Sequence, residues 1–239
     1  MPKAPHVVVT GGGRGIGAAT ARLFKDQGYR VTLMARSRNQ IETLADEIGA
    51  YAVRVDVGDP ASVEAAFMAA GPVDVLVNNA GMSPKTPFKE RLGCLNGDLN
   101  AWQKVFDLNF LVPLRLSRGF ASALHKGEGS IVNITSIAGH KIHPFAGSAY
   151  SISKAALSAL TREMANEFAA LGVRVNAVAP GEIETEMIQP EYEALIPRIP
   201  LDKMGSPTDV AGAIHYLCSD DARYVTGTEI WVTGGQHMF

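Results

Sequence analysis

The sequence predicts an α/β fold of the doubly wound kind, and three observations carry that expectation. Short β-branched runs recur along the chain without strict polar alternation, as strands buried on both faces of a parallel sheet require. Longer segments with helical spacing separate them, so each strand passes to the next through a right-handed crossover helix. Glycine and proline punctuate the segments where helices stop and start: Gly28 and Gly172 follow helical stretches, while Pro60 and Pro207 open them.

Taken in order, the strand candidates are His6–Thr10, Arg30–Ala35, Ala52–Val57, Val73–Val77, Ser130–Ile134, Val173–Val178 and Glu229–Val232. Helical spacing covers Gly15–Gln27, Asn39–Ile48, Ala61–Ala70, Leu99–His125, Ser148–Leu171 and Thr208–Ser219. In the fifth of these, Ala149, Ile152, Ala156, Leu160, Met164, Phe168 and Leu171 form the expected core stripe. Two regions break the rhythm. Gly81–Asn100 is rich in Pro, Lys and Gly, and Gly181–Gly205 contains Pro190, Pro197 and Pro200. Both follow strands, so both belong at the carboxyl ends of the sheet, where open α/β sheets bind ligands. They are the expected substrate rim.

Composition narrows the function. The chain has 239 residues, with 22 Lys+Arg against 24 Asp+Glu and a formal net charge of −2, which argues against a nucleic-acid binder. No run approaches the ~18 uninterrupted apolar residues of a membrane span. The start lacks the apolar core of a signal peptide. Cys94 and Cys218 are too few for a disulfide framework and lack metal-ligand spacing, so no metal site is expected; both read as buried small hydrophobes in a reducing compartment. The expectation is a cytoplasmic, single-domain protein acting on a small molecule.

The first strand runs directly into Gly11-Gly12-Gly13-Arg14-Gly15-Ile16-Gly17 and then a helix, the context a dinucleotide site needs. Glycine permits the tight turn and close approach of the backbone to a pyrophosphate, and the helix start offers free N–H groups and a positive dipole end. The end of the second strand discriminates between cofactors. An NAD site places an acidic residue there, whereas this chain reads Ala35-Arg36-Ser37-Arg38 with no acid before Glu42. Arg36 suits a bidentate pair with a 2′-phosphate, and Arg14 can approach the same group from the glycine loop. NADP(H) is therefore the preferred cofactor, with NAD(H) as the alternative if both arginines are only surface residues.

These residues also carry a resemblance. From end to end the chain resembles the classical short-chain dehydrogenases/reductases, on Thr10-Gly11-x-x-x-Gly15-x-Gly17, Asp56-Val57, Asn78-Asn79-Ala80-Gly81, Asn109, Ser136, Tyr150-x-x-x-Lys154 and Pro180-Gly181-x-Ile183-x-Thr185. The resemblance implies a Rossmann-type, seven-stranded parallel sheet in the order 3-2-1-4-5-6-7, with a cofactor half over 1–125, a catalytic half over 126–239 and a lid over 182–205. It implies an NAD(P)-dependent enzyme interconverting a carbonyl and a secondary alcohol. By the same carry-over, Asp56 and Val57 flank the adenine, Asn79, Ala80 and Gly81 line the nicotinamide side, and Pro180, Gly181, Ile183 and Thr185 meet the carboxamide or phosphates. Asn78 reads better as a bridge between strands. Ser136 holds the substrate oxygen, with Thr135 as its neighbouring competitor. Asn109 distorts its helix and anchors a water that links Lys154 to solvent. A homotetramer built through the two long helices, Leu99–His125 and Ser148–Leu171, and the C-terminal region is implied as well.

The acid/base chemistry can be reasoned from the residues. Tyr150 and Lys154 share a helix face at i and i+4. A free tyrosine, with a pKa of about 10, is too weakly acidic to serve as a base at neutral pH. A cation about 4 Å away at an effective dielectric near 20 contributes about 4 kcal/mol, or about three pKa units, so Lys154, helped by the positive nicotinamide ring of the oxidised cofactor, is expected to bring Tyr150 toward working pH.

Substrate is less constrained than reaction. The rim offers Lys85, Lys89 and Arg91 after Gly81; His140, Lys141 and His143 after Ser136; and Glu182, Glu184, Glu186 and Arg198 in the lid. Glu182 stands where an apolar or small residue is more usual. It reads either as an acceptor for a polyol or polar carbonyl compound or as a solvated loop residue. The stretch from Leu201 to Gly235 resembles 3-oxoacyl-carrier-protein reductases, for which Lys85, Lys89 and Arg91 would be the docking patch. Sugar, polyol and steroid-like substrates stay open, with an NAD-dependent sugar or polyol dehydrogenase as the other enzymatic alternative. A non-enzymatic nucleotide sensor on the same fold is disfavoured, since Tyr150, Lys154, Ser136 and Asn109 are all present.

Overall fold

The structure is a computed structural model and describes residues 4–56, 59–126, 128–188 and 190–239. Val7, Val8 and Val9 are all fully buried, which only a strand covered on both faces allows. They form β1 (His6–Thr10), the centre of a seven-stranded sheet with β2 (Arg30–Ala35), β3 (Tyr51–Arg54), β4 (Val75–Asn78), β5 (Ser130–Ile134), β6 (Arg174–Pro180) and β7 (Glu229–Val232). Every neighbouring pair is parallel, in the expected order β3-β2-β1-β4-β5-β6-β7. The order reverses between β1 and β4, which opens a crevice at the carboxyl ends of those two strands.

Strand side chains alternate between two cores, as a period of two requires. On one face Val7, Val9, Leu33 and Val77 meet α1 (Gly15–Asp26), α2 (Arg38–Ile48) and α7 (Pro207–Cys218) through Phe24, Ile41 and Ile214. On the other, Val8, Met34, Leu76 and Ile131 meet α3 (Pro60–Ala70), α5 (Val112–His125) and α6 (Ser148–Phe168) through Val63, Phe120 and Met164. Each such fully buried side chain stabilises the fold by roughly 1.5–3 kcal/mol. Pro60 and Pro207 are the first residues of α3 and α7, and Ser206 and Asp209 form a capping box. Gly28 and Gly172 hold positive φ after their helices, as a left-handed cap needs.

Several expectations are corrected. The Leu99–His125 helix is broken: α4 (Leu99–Phe106) passes into a π-helical turn over Asp107–Leu111 before α5 begins. The stripe along α6 is displaced. Ile152 is exposed and Ser153, Leu157, Ser158, Thr161 and Ala165 are buried, because α6 covers the sheet with small and hydroxylic residues that hydrogen-bond inward. β3 begins one residue early and ends by Arg54, as an edge strand with three of its four residues exposed. Cys218 is buried but Cys94 is exposed, since it lies in the Gly81–Asn100 rim. Among the described residues no helix is long and apolar enough to cross a membrane.

Candidate active site

The glycine loop is shaped by close approach. Gly11 and Gly15 adopt left-handed φ values of 63° and 52°. A Cβ on Gly17 would lie 2.3 Å from the Gly11 carbonyl oxygen, so the first turn of α1 can fold onto the loop only with glycine there. Arg14 is the N-cap of α1 but provides no side-chain cap, and no acid occupies the first turn. The helix start thus presents unanswered N–H groups and a positive dipole end to the crevice. Thr10 pins this arrangement to β4: its hydroxyl accepts from the backbone N–H groups of Asn79 and Ala80, each at 3.0 Å. The Asn79 amide donates to the carbonyls of Thr10 and Gly11 at 3.0 and 3.1 Å.

Above this loop lies a cleft of about 710 Å³ that gathers most of the residues singled out in the sequence. Gly11, Arg14, Gly15, Ile16, Arg36, Asn79, Ala80, Gly81, Ser136, Tyr150, Lys154, Pro180, Gly181, Ile183 and Thr185 all line it. Gly17 does not; its part is the loop packing just described. Val55 lines the cleft where Asp56 was expected, while Asp56 is exposed and its backbone N–H donates to Ser62 Oγ. Val57 lies outside the described residues. Arg36 is exposed and makes no ion pair among them, whereas Arg38 pairs with Glu42 at 2.7 Å. Arg14 is not free: its guanidinium pairs with Glu186 at 2.7 Å, bridging the glycine loop to the segment after β6.

The reacting end is set by β5, α6 and the π-helical turn. Ser136 follows β5, is nearly buried, and its hydroxyl accepts from the Ala138 N–H at 3.1 Å. Thr135 also touches the cleft, but its hydroxyl lies between the Val178 carbonyl at 3.0 Å and the Glu229 carboxylate, which leaves Ser136 as the accessible hydroxyl. Lys154 is buried, 4% exposed, and donates to the Ile134 carbonyl at 2.6 Å. Burial lowers its pKa to about 8. A Cβ on Gly81 would sit 3.3 Å from Asn109 Oδ1 and 3.4 Å from Lys154 Nζ.

The expected depression of Tyr150 by Lys154 is not found. Lys154 Nζ lies 5.8 Å from the centre of the Tyr150 ring and is committed to Ile134. Burial pushes the Tyr150 phenol above its ordinary value; the Ser136 hydroxyl pulls it down and the Glu182 charge adds to the rise.

Asn109 sits within the π-helical turn, fully buried and off the cleft wall. Its amide donates to the Met82 carbonyl and Ser153 Oγ, each at 3.0 Å, and its oxygen accepts from the Met82 N–H at 2.9 Å. From within the turn this side chain fastens the loop after β4 to α6. Asn78, by contrast, bridges strands through Asn133 Oδ1 at 2.9 Å, as expected.

Some lining residues had no clear sequence signal. Tyr192 comes from a 3₁₀ helix over Pro190–Arg198 and packs its ring 5.6 Å from His143 and 4.9 Å from Phe145. Glu182 is not solvated but buried against His143, and both face the cleft.

Comparison with known proteins gives matches along the whole chain. A family model described as Enoyl-(Acyl carrier protein) reductase matches residues 11–237. Protein FixR of Bradyrhizobium diazoefficiens is 47% identical over 240 residues, covering 97% of this chain and 86% of that one. The 3beta-hydroxysteroid dehydrogenase 1 of Eggerthella lenta is 38% identical, covering 99% and 95%. A solved 3-oxoacyl-[acyl-carrier protein] reductase from Brucella melitensis with bound NAD superposes with a TM-score of 0.92 at 30% identity, covering 100% and 93%.

Proposed function

The chain belongs to the short-chain dehydrogenase/reductase family of oxidoreductases, and from that premise we propose that it interconverts a carbonyl and a secondary alcohol with NADP(H), using Tyr150 as acid and base. The observation that carries this reading is convergence: Ser136, Tyr150 and Lys154 share one cleft with the uncapped start of α1. The residues present fit a nicotinamide dinucleotide. The helix start suits its pyrophosphate, and the unpaired Arg36 beside Ser37 suits a 2′-phosphate. When bound, the cofactor supplies or accepts the hydride.

During reduction Tyr150 gives its phenolic proton to the substrate oxygen as negative charge develops there, while the Ser136 hydroxyl donates to the same oxygen. In oxidation Tyr150 takes the proton back, which the positive ring of the oxidised cofactor would favour when bound, while Ser136 goes on donating to that oxygen. A high phenol pKa favours the protonated acid that reduction needs. Lys154, its pKa lowered to about 8 by burial, is the group assigned to restoring that proton near neutral pH. Asn109 holds Met82 and Ser153, and through them the loop carrying Gly81; the water that links Lys154 to solvent belongs to this proposal. Residues 182–205 act as the lid, with Arg14–Glu186 as a latch across the cofactor loop.

Two finer readings differ in support. Relatives named as 3-oxoacyl-carrier-protein reductases favour that substrate. The cations that would dock the carrier are mostly committed elsewhere: Lys85 Nζ donates to the Phe145 carbonyl at 2.9 Å and Arg91 Nε to that of Ala146 at 2.5 Å. NADP(H) over NAD(H) rests on Arg36. A homotetramer through α4, α5 and α6 would cover the exposed Leu99 and Ile152, and sedimentation at micromolar concentration reads it directly.

Tyr150→Phe tests the central assignment. NADPH oxidation with a panel of carbonyl compounds should disappear, while NADPH binding, followed by fluorescence titration, stays within a few-fold of the parent. Surviving turnover overturns the acid/base assignment.

A further inference from the structure

Glu182 is 4% exposed and faces the cleft from the position after Gly181. His143, equally buried, holds one of its oxygens. The backbone N–H groups of Phe145 and Ala146 donate to His143 Nδ1 at 3.1 and 3.0 Å, which places the imidazole proton on Nε2. Nε2 therefore donates to Glu182 Oε1 at 2.8 Å from a neutral ring. Gln236 Nε2 donates to the same oxygen at 3.2 Å. Oε1 is answered twice, while Oε2 accepts from no described residue and is not sealed from the cleft. A carboxylate so deep in the protein, with one oxygen unanswered, is an acceptor prepared for a donor from outside.

The reacting groups line the same cleft. Glu182 is close enough for its charge to raise Tyr150 and Tyr192. Lys85 and Lys89 also line the cleft, which disfavours an ammonium as the missing donor and leaves a neutral hydroxyl.

Resting on Tyr150 as the acid/base, we propose that Glu182, positioned by His143 and Gln236, is a substrate-selecting residue whose free oxygen accepts from a hydroxyl next to the reacting carbon. The substrate class is then hydroxylated ketones and the corresponding polyols, rather than ketones with only hydrocarbon beside the carbonyl.

The test compares kcat/KM for acetoin and butanone, which differ by one hydroxyl, in the parent, Glu182→Gln and Glu182→Leu. The parent should favour acetoin by about 10- to 100-fold, the worth of one hydrogen bond to a charged acceptor. In Glu182→Leu the ratio should fall to within about 2-fold of unity. Glu182→Gln, which keeps an acceptor for His143 and turns the free atom into a donor, should also lose most of the preference. NADPH titration checks that each variant folds. A parent ratio near unity, or one that survives in Glu182→Leu with NADPH binding intact, overturns the proposal. If neither ketone is turned over by the parent, calorimetry reads the proposal instead, while the acid/base reading is judged by Tyr150→Phe across the carbonyl panel. Butanediol should bind the NADP+-loaded parent at least 10-fold tighter than butanol and lose that advantage in Glu182→Leu; equal affinities overturn it.

Discussion

Replacing Lys154 by methionine should alter the pH dependence of stability in a direction the structure dictates. Burial lowers the pKa of Lys154 from 10.5 to about 8. A depressed pKa on a base means that the unfolded chain holds a proton which the folded protein has released, in the window between those two values. Unfolding there takes up a proton, so stability rises with pH across the window. Below about 8 the lysine is charged in both states and the full cost of burying it applies, about 3 kcal/mol for a shift of this size. Above 10.5 that cost is gone. Methionine removes the titration altogether. It also leaves the Ile134 carbonyl without its donor, a loss of about 1–3 kcal/mol that is the same at every pH. The absolute difference in stability at neutral pH is therefore small, and the informative quantity is how it changes. At about 2–4 °C per kcal/mol for a domain of this size, Tm of the variant minus Tm of the parent should fall by about 6–12 °C between pH 7 and pH 10.5. Tyr150 and Cys218 also titrate at alkaline pH, but they are common to both proteins and cancel in the difference. Thermal unfolding followed by circular dichroism across that range supplies the measurement. A difference that stays constant with pH would mean that Lys154 is solvated as a cation, and the assignment of its lowered pKa would fail.

Three further outcomes follow from other parts of the site. Arg36→Asp should move the ratio of kcat/KM for NADP(H) over NAD(H) down by at least 10-fold, since it replaces a charge-assisted pair with repulsion; an unchanged ratio removes the basis for preferring NADP(H). Gly17→Ala should cost about 1–3 kcal/mol of stability and weaken NADPH binding, because the new Cβ meets the Gly11 carbonyl oxygen at 2.3 Å, read by Tm and by titration. Asn109→Ala should lower Tm by several degrees and kcat with it. It strips the Met82 carbonyl and N–H of their partners, about 1–3 kcal/mol for each buried group, and an unaltered Tm would show that the π-helical turn does not depend on that side chain.

The fold was readable because a parallel sheet writes itself in local pattern. Strands buried on both faces must be apolar throughout, and crossover helices need about a dozen residues with their own period. Boundaries were less readable where packing decides them. β3 stops at Arg54 because an edge strand has only one neighbour to hold it. The π-helical turn was invisible as geometry: Asn109 marks the spot, but only Met82 and Ser153 on other elements explain why the helix yields there. The α6 stripe was misread for a related reason. Apolar spacing cannot anticipate that Ser153, Ser158 and Thr161 are buried by hydrogen bonds rather than by hydrophobicity.

Sequence by itself determined the class of fold, the glycine loop, the absence of an acid after β2, and the i, i+4 placement of Tyr150 and Lys154. These depend on periodicity, on backbone conformations open only to glycine, and on neighbours along one helix, all of which are local. Tertiary structure alone decided which hydroxyl is free, Ser136 rather than Thr135, because Val178 and Glu229 arrive from distant strands. It set burial and the Glu182 charge against the lowering expected at Tyr150, since burial is a property of the whole assembly of elements. It also turned Glu182 from a loop carboxylate into a buried acceptor, through a histidine 39 residues before it and a glutamine 54 residues after it. The desolvation and hydrogen bonds that set a carboxylate's role come from whatever the fold packs around it, and no spacing along the chain encodes them.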